Sequence, residues 1–546
     1  MGQAEIQSTD DIPGILGGHP AVSDHHSGGS GSDKPLLIGI VVILVAYVVA
    51  SALGWTASPK AIAGPEAAAA AHDEGAHAEE HHDEHGEHAV AEHGGGHGTH
   101  HALPHVWAVA PFVMLLGAIA VFPLLKATEH WWESNTNRLI VAVVLAGITL
   151  FYYMTIYEEA SLSAVWHRID HAILGEYIPF IVLLFSLYVI SGGIRISGDL
   201  KAHPSTNAAF MLVGGLLASF VGTTGAAMLL IRPLLETNKE RRYRQHTVVF
   251  FIFVVCNCGG CLLPIGDPPL FLGYLQGVDF LWTMTALWKP WLLTNFLLLV
   301  VYLLLDKFYY YPKESKEDVL QDEFRTTPLQ IRGLMPNALL LLGVIFSVAL
   351  LDPTKPLPGI GWYPFVYLRE VVQLALVGLS VWLGSKAIRE ANRFNYHAIV
   401  EVAALFVGIF ICMQPALEIL NEQGPSLGID TPMKFYWITG GLSSVLDNAP
   451  TYLVFFKTAF PNMDASMIQA ALADASGKNH FELVAISLGA VFMGAMTYIG
   501  NGPNFMVRAI AEEGGVKMPS FFGYILFFSI PILLPILAIV SLVFLL

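Results

Sequence analysis

The chain has 546 residues, of which 54% are apolar and only 13% charged, with a mean hydropathy of +0.57. A water-soluble chain of this length would divide into domains with polar surfaces, so that class is excluded. The formal net charge of −16 identifies no partner, because roughly three quarters of it lies before Val106, outside the apolar body. Cys256, Cys258, Cys261 and Cys412 all fall in apolar runs, so no disulfide framework is expected. The chain carries no phosphate loop, hydrolase elbow or zinc-protease motif. It is read as a non-enzyme without a cofactor and without a nucleic-acid partner, its main surroundings being the lipid bilayer.

In chain order, residues 1–34 are polar and Gly/Ser-rich, the composition of a disordered tail. Residues 35–55 form the first spanning candidate. The segment before it is long and acidic, not the short basic start of a signal peptide, so it is read as a retained helix. Residues 56–105 are low-complexity and rich in Ala, Gly, His and Glu, with too little apolar content for a core. Their histidines could hold zinc or nickel, with His81, His82, His85 and His88 the candidate ligands, or respond to pH near neutrality. No fixed ligand spacing distinguishes them.

From Val106 the chain is nearly continuous apolar helix. Whole spans are expected near residues 106–125, 139–153, 177–192, 284–305, 334–351, 371–383, 398–413 and 521–546. Four further apolar stretches are interrupted. Residues 207–235 carry Gly222-Thr223-Thr224-Gly225, and 247–274 carry Ile265-Gly266-Asp267-Pro268-Pro269-Leu270-Phe271. Residues 435–456 carry Leu446-Asp447-Asn448-Ala449-Pro450, and 483–510 carry Ile499-Gly500-Asn501-Gly502-Pro503-Asn504-Phe505. Proline lacks an amide hydrogen and clashes with the preceding turn, so helix cannot run smoothly through such cuts. In a bilayer the freed backbone groups survive only when buried in protein or lining a watery cavity.

Hairpin-like segment, loop, broken helix and final helix occur in that order twice, which is an internal repeat. The body therefore divides into a first repeat at 106–305, an inter-repeat loop at 306–333 and a second repeat at 334–546. The loops at 195–201, 239–244, 386–393 and 306–332 hold half of the Lys and Arg. All can face the cytoplasm together if the two broken hairpins open to opposite sides, making the repeat inverted. The same count places the N-terminus and the 1–34 tail inside, the 56–105 segment outside, and the whole in a multi-pass membrane setting. The expected architecture is all-α: an inverted-repeat secondary transporter with about eleven transmembrane helices, two re-entrant hairpins and two broken helices.

Paired breaks in repeated halves point to the substrate site of such a transporter. A hard cation stripped of water wants oxygen ligands. Asp267 and Asp447 offer carboxylates, Asn257, Asn448, Asn501 and Asn504 offer amide oxygens, and Thr223, Thr224 and Thr451 offer hydroxyls. Gly266 and Gly500 free backbone carbonyls. A carboxylate at membrane depth is costly and is usually functional. A carboxyl group short of water holds a proton readily, so one group can carry either a proton or a metal ion. Sodium at Asp267, Asp447, Asn257 and Asn448, alternating with protons, is the expected chemistry, and the plain alternative is a set of helix kinks with mutually satisfied polar groups. Glu401, one turn into an apolar helix, is either a second proton carrier or an interfacial residue that snorkels. Cys256, Cys258 and Cys261 suggest a soft-metal site. Successive helical positions turn by about 100°, however, so small residues for close packing explain them better.

These residues resemble the ion transporter superfamily, which includes citrate and dicarboxylate carriers, arsenite pumps and NhaD-type sodium/proton antiporters, over roughly residues 106–546. Leu446-Asp447-Asn448-Ala449-Pro450-Thr451 and the pairing of Asn257 with Asp267 are most similar to the NhaD-type antiporters. The Ser-Asn-Thr triplet of carboxylate carriers is at neither hairpin tip. The first tip departs from the antiporters too, since they commonly place an acidic residue there. The resemblance implies exchange of sodium or lithium for protons, in a bacterial inner membrane, by a homodimer with a scaffold and a moving transport domain. The alternative is a cation-coupled carrier of citrate or another organic anion, which would use Thr223 and Thr224 at half-helix N-termini. A channel or metal-sensing receptor would keep the breaks but show no exchange.

Because the His-rich tract lies outside the apolar body, deleting residues 67–99 is expected to leave membrane insertion and basal transport intact. Loss of transport in a folded, inserted deletion variant would make the tract part of the transport machinery.

Overall fold

The computed structural model describes residues 103–546 apart from 158, 159 and 358. The expected tail, the helix at 35–55 and the His81, His82, His85 and His88 cluster lie outside the described residues. Seven helices among the described residues are long and apolar enough to cross a membrane, or eight if a pair bent by 44° counts as one span. In chain order the first three are α1 (Val106–Leu124), α2 (Asn135–Thr155) and α3 (Asp170–Ser191). Strand β1 (Arg195–Asp199) follows, then the first hairpin, α4 (Pro204–Val221) and α5 (Thr223–Thr237). The first broken helix is α6 (Gln245–Val254) and α7 (Pro268–Leu275), closed by α8 (Trp282–Lys313). After strand β2 (Thr327–Arg332) come α9 (Leu334–Leu350), α10 (Leu368–Leu383) and α11 (His397–Cys412). The second hairpin is α12 (Pro432–Ser443) and α13 (Asn448–Ala459). The second broken helix is α14 (Lys478–Met496) and α15 (Gly502–Glu513), closed by α16 (Phe521–Phe544).

The chain is thus an all-α, multi-pass membrane protein. Fewer helices pass the length test than the eleven spans expected, because α9, α10 and α11 stop at 17, 16 and 16 residues and the broken elements are shorter still. Its surface shows why. Large apolar side chains such as Ile140, Val143, Phe151, Phe296, Phe527 and Val543 are exposed, as suits contact with lipid tails rather than water. Burial is uneven: 83% of the most apolar window of α14 is enclosed, against 39% in α1, α2 and α16. Helix α14 is therefore a core helix, packed on α12, while α1 and α2 form a peripheral layer against α11.

The inter-repeat segment differs from the loop expected at 306–333. It holds a short helix, Lys316–Phe324, and then β2, which pairs antiparallel with β1 in the register Arg195↔Arg332 and Ile196↔Ile331. This two-stranded ladder is a departure from a purely helical fold.

The two breaks share a geometry. Asp267 and Asn501 occupy the position before α7 and α15 with near-identical backbone angles, φ −141° ψ 140° and φ −153° ψ 137°. Each follows a glycine packed against the chain six residues earlier, Gly266 on the Gly260 carbonyl and Gly500 on the Gly494 carbonyl. Ser219 Oγ, near the end of α4, donates to the Gly259 carbonyl at 2.6 Å, and Ser443 Oγ, ending α12, donates to the Ala490 carbonyl at 2.6 Å. The second half thus repeats the glycine contact of the first and, with a shifted partner, its serine tie. At the first tip, Gly222 takes φ 80° and ψ 149°, a conformation closed to residues with a Cβ.

A methyl group at Gly500 would lie 2.6 Å from the Gly494 oxygen and 2.7 Å from the Ser443 oxygen, whereas one at Gly502 would meet nothing within 4 Å. Gly500→Ala is expected to cost about 1–3 kcal/mol and Gly502→Ala less than about 0.5 kcal/mol. Thermal melting of the purified variants in detergent checks the contrast.

Candidate functional site

The four half-helices α5, α7, α13 and α15 all begin where the breaks meet, with polar residues at their starts: Thr223 and Asn448 open α5 and α13, and Asp267 and Asn501 stand just before α7 and α15. Asp267 is 1% exposed and is held on both oxygens. Thr223 Oγ1, at the start of α5, donates to Oδ1 at 3.2 Å, and Asn501 Nδ2 donates to the same oxygen at 3.2 Å. Asn448 Nδ2, the first residue of α13, donates to Oδ2 at 2.9 Å. Both repeats and both hairpins therefore converge on one carboxylate. No Lys, Arg or His among the described residues forms an ion pair with Asp267 or Asp447.

An amide network backs the carboxylate. Asn501 Nδ2 also lies 2.9 Å from the Cys256 carbonyl and 3.3 Å from Asn257 Oδ1. Asn257 Nδ2 donates to Asn504 Oδ1 at 2.7 Å and to the Ile252 carbonyl at 2.9 Å. Asn504 Nδ2 in turn donates to the carbonyls of Gly494 and Thr497, both at 2.9 Å. These asparagines thus satisfy the carbonyls freed by the breaks as well as forming the site. Gly266 contributes its carbonyl to the Thr223 amide at 2.9 Å, and the Gly500 amide donates to Thr497 Oγ1 at 3.2 Å.

Asp447 is half-buried and caps α13, accepting from the Ala449 amide at 3.0 Å. Thr451 Oγ1 donates to the Asp447 carbonyl at 2.9 Å, so its hydroxyl is spent on the cap and not on Asp267. Asp447 opens instead onto a cavity of about 420 Å³. The cavity is lined by the tip residues Gly222, Thr223 and Thr224, by Asn448 and Asn501, and by residues of the α1–α2–α11 layer. That layer supplies Arg138, Glu401 and His397, and the connection between α1 and α2 adds Glu129 and Glu133.

Glu401 is not an isolated carboxylate. It pairs with Arg138 Nη1 at 2.9 Å, and its side chain is 35% exposed to the cavity. Arg138 also donates to Asn135 Oδ1 at 2.7 Å. Sequence reasoning missed Arg138 because it precedes the apolar run at 139–153 and reads as an interfacial anchor. It also missed Arg369 and Glu370, buried in α10 and paired at 2.6 Å, for the same reason. Cys256, Cys258 and Cys261 are buried and free.

Residues 100–545 match the family model described as "Putative citrate transport". The chain belongs to that family. It is therefore a secondary transporter of the citrate-transporter-like kind. No curated protein matches the chain.

Removing the Asn257 side chain leaves Asn504 Oδ1 without its donor and the Ile252 carbonyl without an extra one. Asn257→Ala is therefore expected to cost about 1–3 kcal/mol of stability, beyond any effect on ion binding. Thr224→Ala, at the cavity wall, should stay within about 0.5 kcal/mol. Melting temperatures of the two variants measure the difference.

Proposed function

We propose that the protein exchanges sodium or lithium for protons across the membrane, in the manner of the NhaD-type antiporters that its motifs resemble. One observation carries this reading: Asp267 is enclosed by three neutral donors and has no cationic side chain as counter-ion. A carboxylate removed from water in that way needs a compensating positive charge, and either a proton or a small metal ion supplies it. Asn448 and Asn501 meet it with amide nitrogens, and a flip of either amide would offer a side-chain oxygen, the ligand type a hard cation prefers, with Asn257 and Asn504 next in the same network. Mutually exclusive occupancy by proton and metal at one site, combined with alternating access, yields exchange.

The cavity chemistry favours a cation further. Its wall offers Asp447, Glu129, Glu133 and Glu401 against Arg138 and His397, and Arg138 is already paired with Glu401. A multiply charged organic anion would meet net repulsion there. Small inorganic cations are thus the proposed partners, with a homodimer in a bacterial inner membrane, N-terminus inside, as the setting. The second reading is cation-coupled uptake of citrate or a related anion. It has the family's description behind it, and the N-termini of α5 and α13 that face the cavity favour negative charge.

Reconstituted vesicles separate the two. Addition of sodium or lithium should shift internal pH, and labelled citrate should not accumulate. Asp267→Asn and Asp447→Asn should each reduce exchange to background while the protein stays folded, since a neutral amide is cheaper to bury than a carboxylate. Asn448→Ala should keep exchange but weaken apparent sodium affinity by about 10-fold. Protons and sodium compete, so acidification inhibits: each pH unit below the titration of the site raises the apparent sodium constant about 10-fold. Ordinary exchange by the Asp267→Asn, Asp447→Asn double variant would place the carrier groups elsewhere, and sodium-dependent citrate uptake without a pH shift would replace the antiport reading.

A further inference from the structure

A second group of carboxylates lies outside the membrane-spanning body, on the face where β1 and β2 pair. Asp199 ends β1, Glu240 follows α5 at the exit of the first hairpin, and Asp322 sits on the helix Lys316–Phe324. Each offers one oxygen, and the three oxygens lie within 4.8 Å of one another. The side chains of Asp199 and Glu240 are 8% and 7% exposed, and Asp322 is 6% exposed.

The charges in this cluster do not balance. Lys239 Nζ reaches Asp199 Oδ2 at 2.7 Å and Glu236 at 2.8 Å, but stands 3.8 Å from Glu240 Oε1. Asp322 has only the Ala202 amide, at 3.0 and 2.9 Å to its two oxygens. Arg241 is committed elsewhere: both its terminal nitrogens bond Asp306, and Nε reaches Glu314 at 3.3 Å. Among the described residues Lys239 is thus the one ammonium in contact with this group of three enclosed carboxylates, while His203 and the committed Arg241 act on Asp322 only through space. Glu240 Oε2 is buried with no hydrogen-bond partner among the described residues. Such an orphaned charged oxygen is costly unless a ligand completes it.

We propose that Asp199, Glu240 and Asp322 form a binding site for a hard divalent cation of calcium's size, which clamps the exit of the first hairpin to the inter-repeat segment. The spacing fits. Calcium binds carboxylate oxygens at about 2.3–2.6 Å, so one ion spans oxygens up to about 5 Å apart, whereas magnesium at about 2.0–2.1 Å would need the cluster to contract. Three carboxylates, with water filling the remaining positions, match the oxygen-only preference of such an ion. The site is separate from the transport cavity and does not depend on which cargo that cavity carries.

The test is calorimetric titration of calcium chloride into the full chain purified in detergent, paired with thermal melting. One saturable calcium per chain is expected in the wild type beyond what Glu240→Gln takes up, with affinity at least about 10-fold weaker in that variant. Calcium should raise the melting temperature of the wild type and not of Glu240→Gln. Asp322→Asn supplies the same comparison if Glu240→Gln does not fold. Any adventitious uptake by the His- and Glu-rich segment at 56–105 is common to all forms and cancels in the difference. Equal calcium uptake by the wild type and the variants overturns the site. Tighter binding of magnesium than calcium overturns the assigned ion.

Discussion

Everything in the membrane body follows from the demand that backbone groups freed by a broken helix find partners where no water is at hand. The two breaks meet this demand by the same device. The carbonyls of Cys258, Gly259 and Leu262 in the first are taken by Asn295, Trp291 and Thr283 of α8, at 3.3, 3.0 and 3.0 Å. The carbonyls of Ala495 and Met496 in the second are taken by Tyr524 and Ser529 of α16, at 2.9 and 2.7 Å. Helices α8 and α16 close their respective repeats, so each half carries its own tie for its own break. The breaks are stable features of the fold, and the half-helices they create can present N-termini to a common point.

Dipoles and carboxylates complement each other at that point. Four helix N-termini there would attract an external anion. Two of them are already provided with one, since Asp267 stands before α7 and Asp447 caps α13. The chain supplies internally the negative charge that an anion carrier would take from its substrate. What remains unmet among the described residues is positive charge at Asp267, and this is the physical ground on which we propose a cation as cargo.

Much of this was legible in the sequence, for reasons that differ from residue to residue. Pro268 and Pro503 forbid continuous helix, so the positions of both breaks could be read directly. Asp267 stood out because a carboxylate in an apolar run is expensive, and the repeat predicted that Asn501 would join it. Thr451 shows the limit of such reading: a hydroxyl near the site offers a ligand in principle, but its helical position directs it to the Asp447 carbonyl. The β1–β2 ladder was hidden because β2 is exposed along its whole length and carries no apolar alternation strong enough to separate it from loop. Arg138, Arg369 and Glu370 were hidden by their place at the ends of apolar runs, where composition cannot distinguish an anchor in the headgroups from a charge turned inward.

The Arg138–Glu401 pair joins α2 to α11 on the cavity wall, within the layer whose outer surface is apolar and lipid-facing. A partly wet ion pair contributes little to stability by itself. Its consequence is electrostatic: it holds a guanidinium at the cavity while cancelling most of its field, so the wall as a whole stays acidic through Glu129, Glu133 and Asp447. On the proposed cation reading, that excess would draw a cation toward Asn448, which lines the cavity and also bonds Asp267. Under that proposal, entry and binding would be linked through one side chain: Asn448 cannot turn its amide toward the cavity without releasing Asp267 Oδ2, and the oxygen it releases is the one an arriving ion would take.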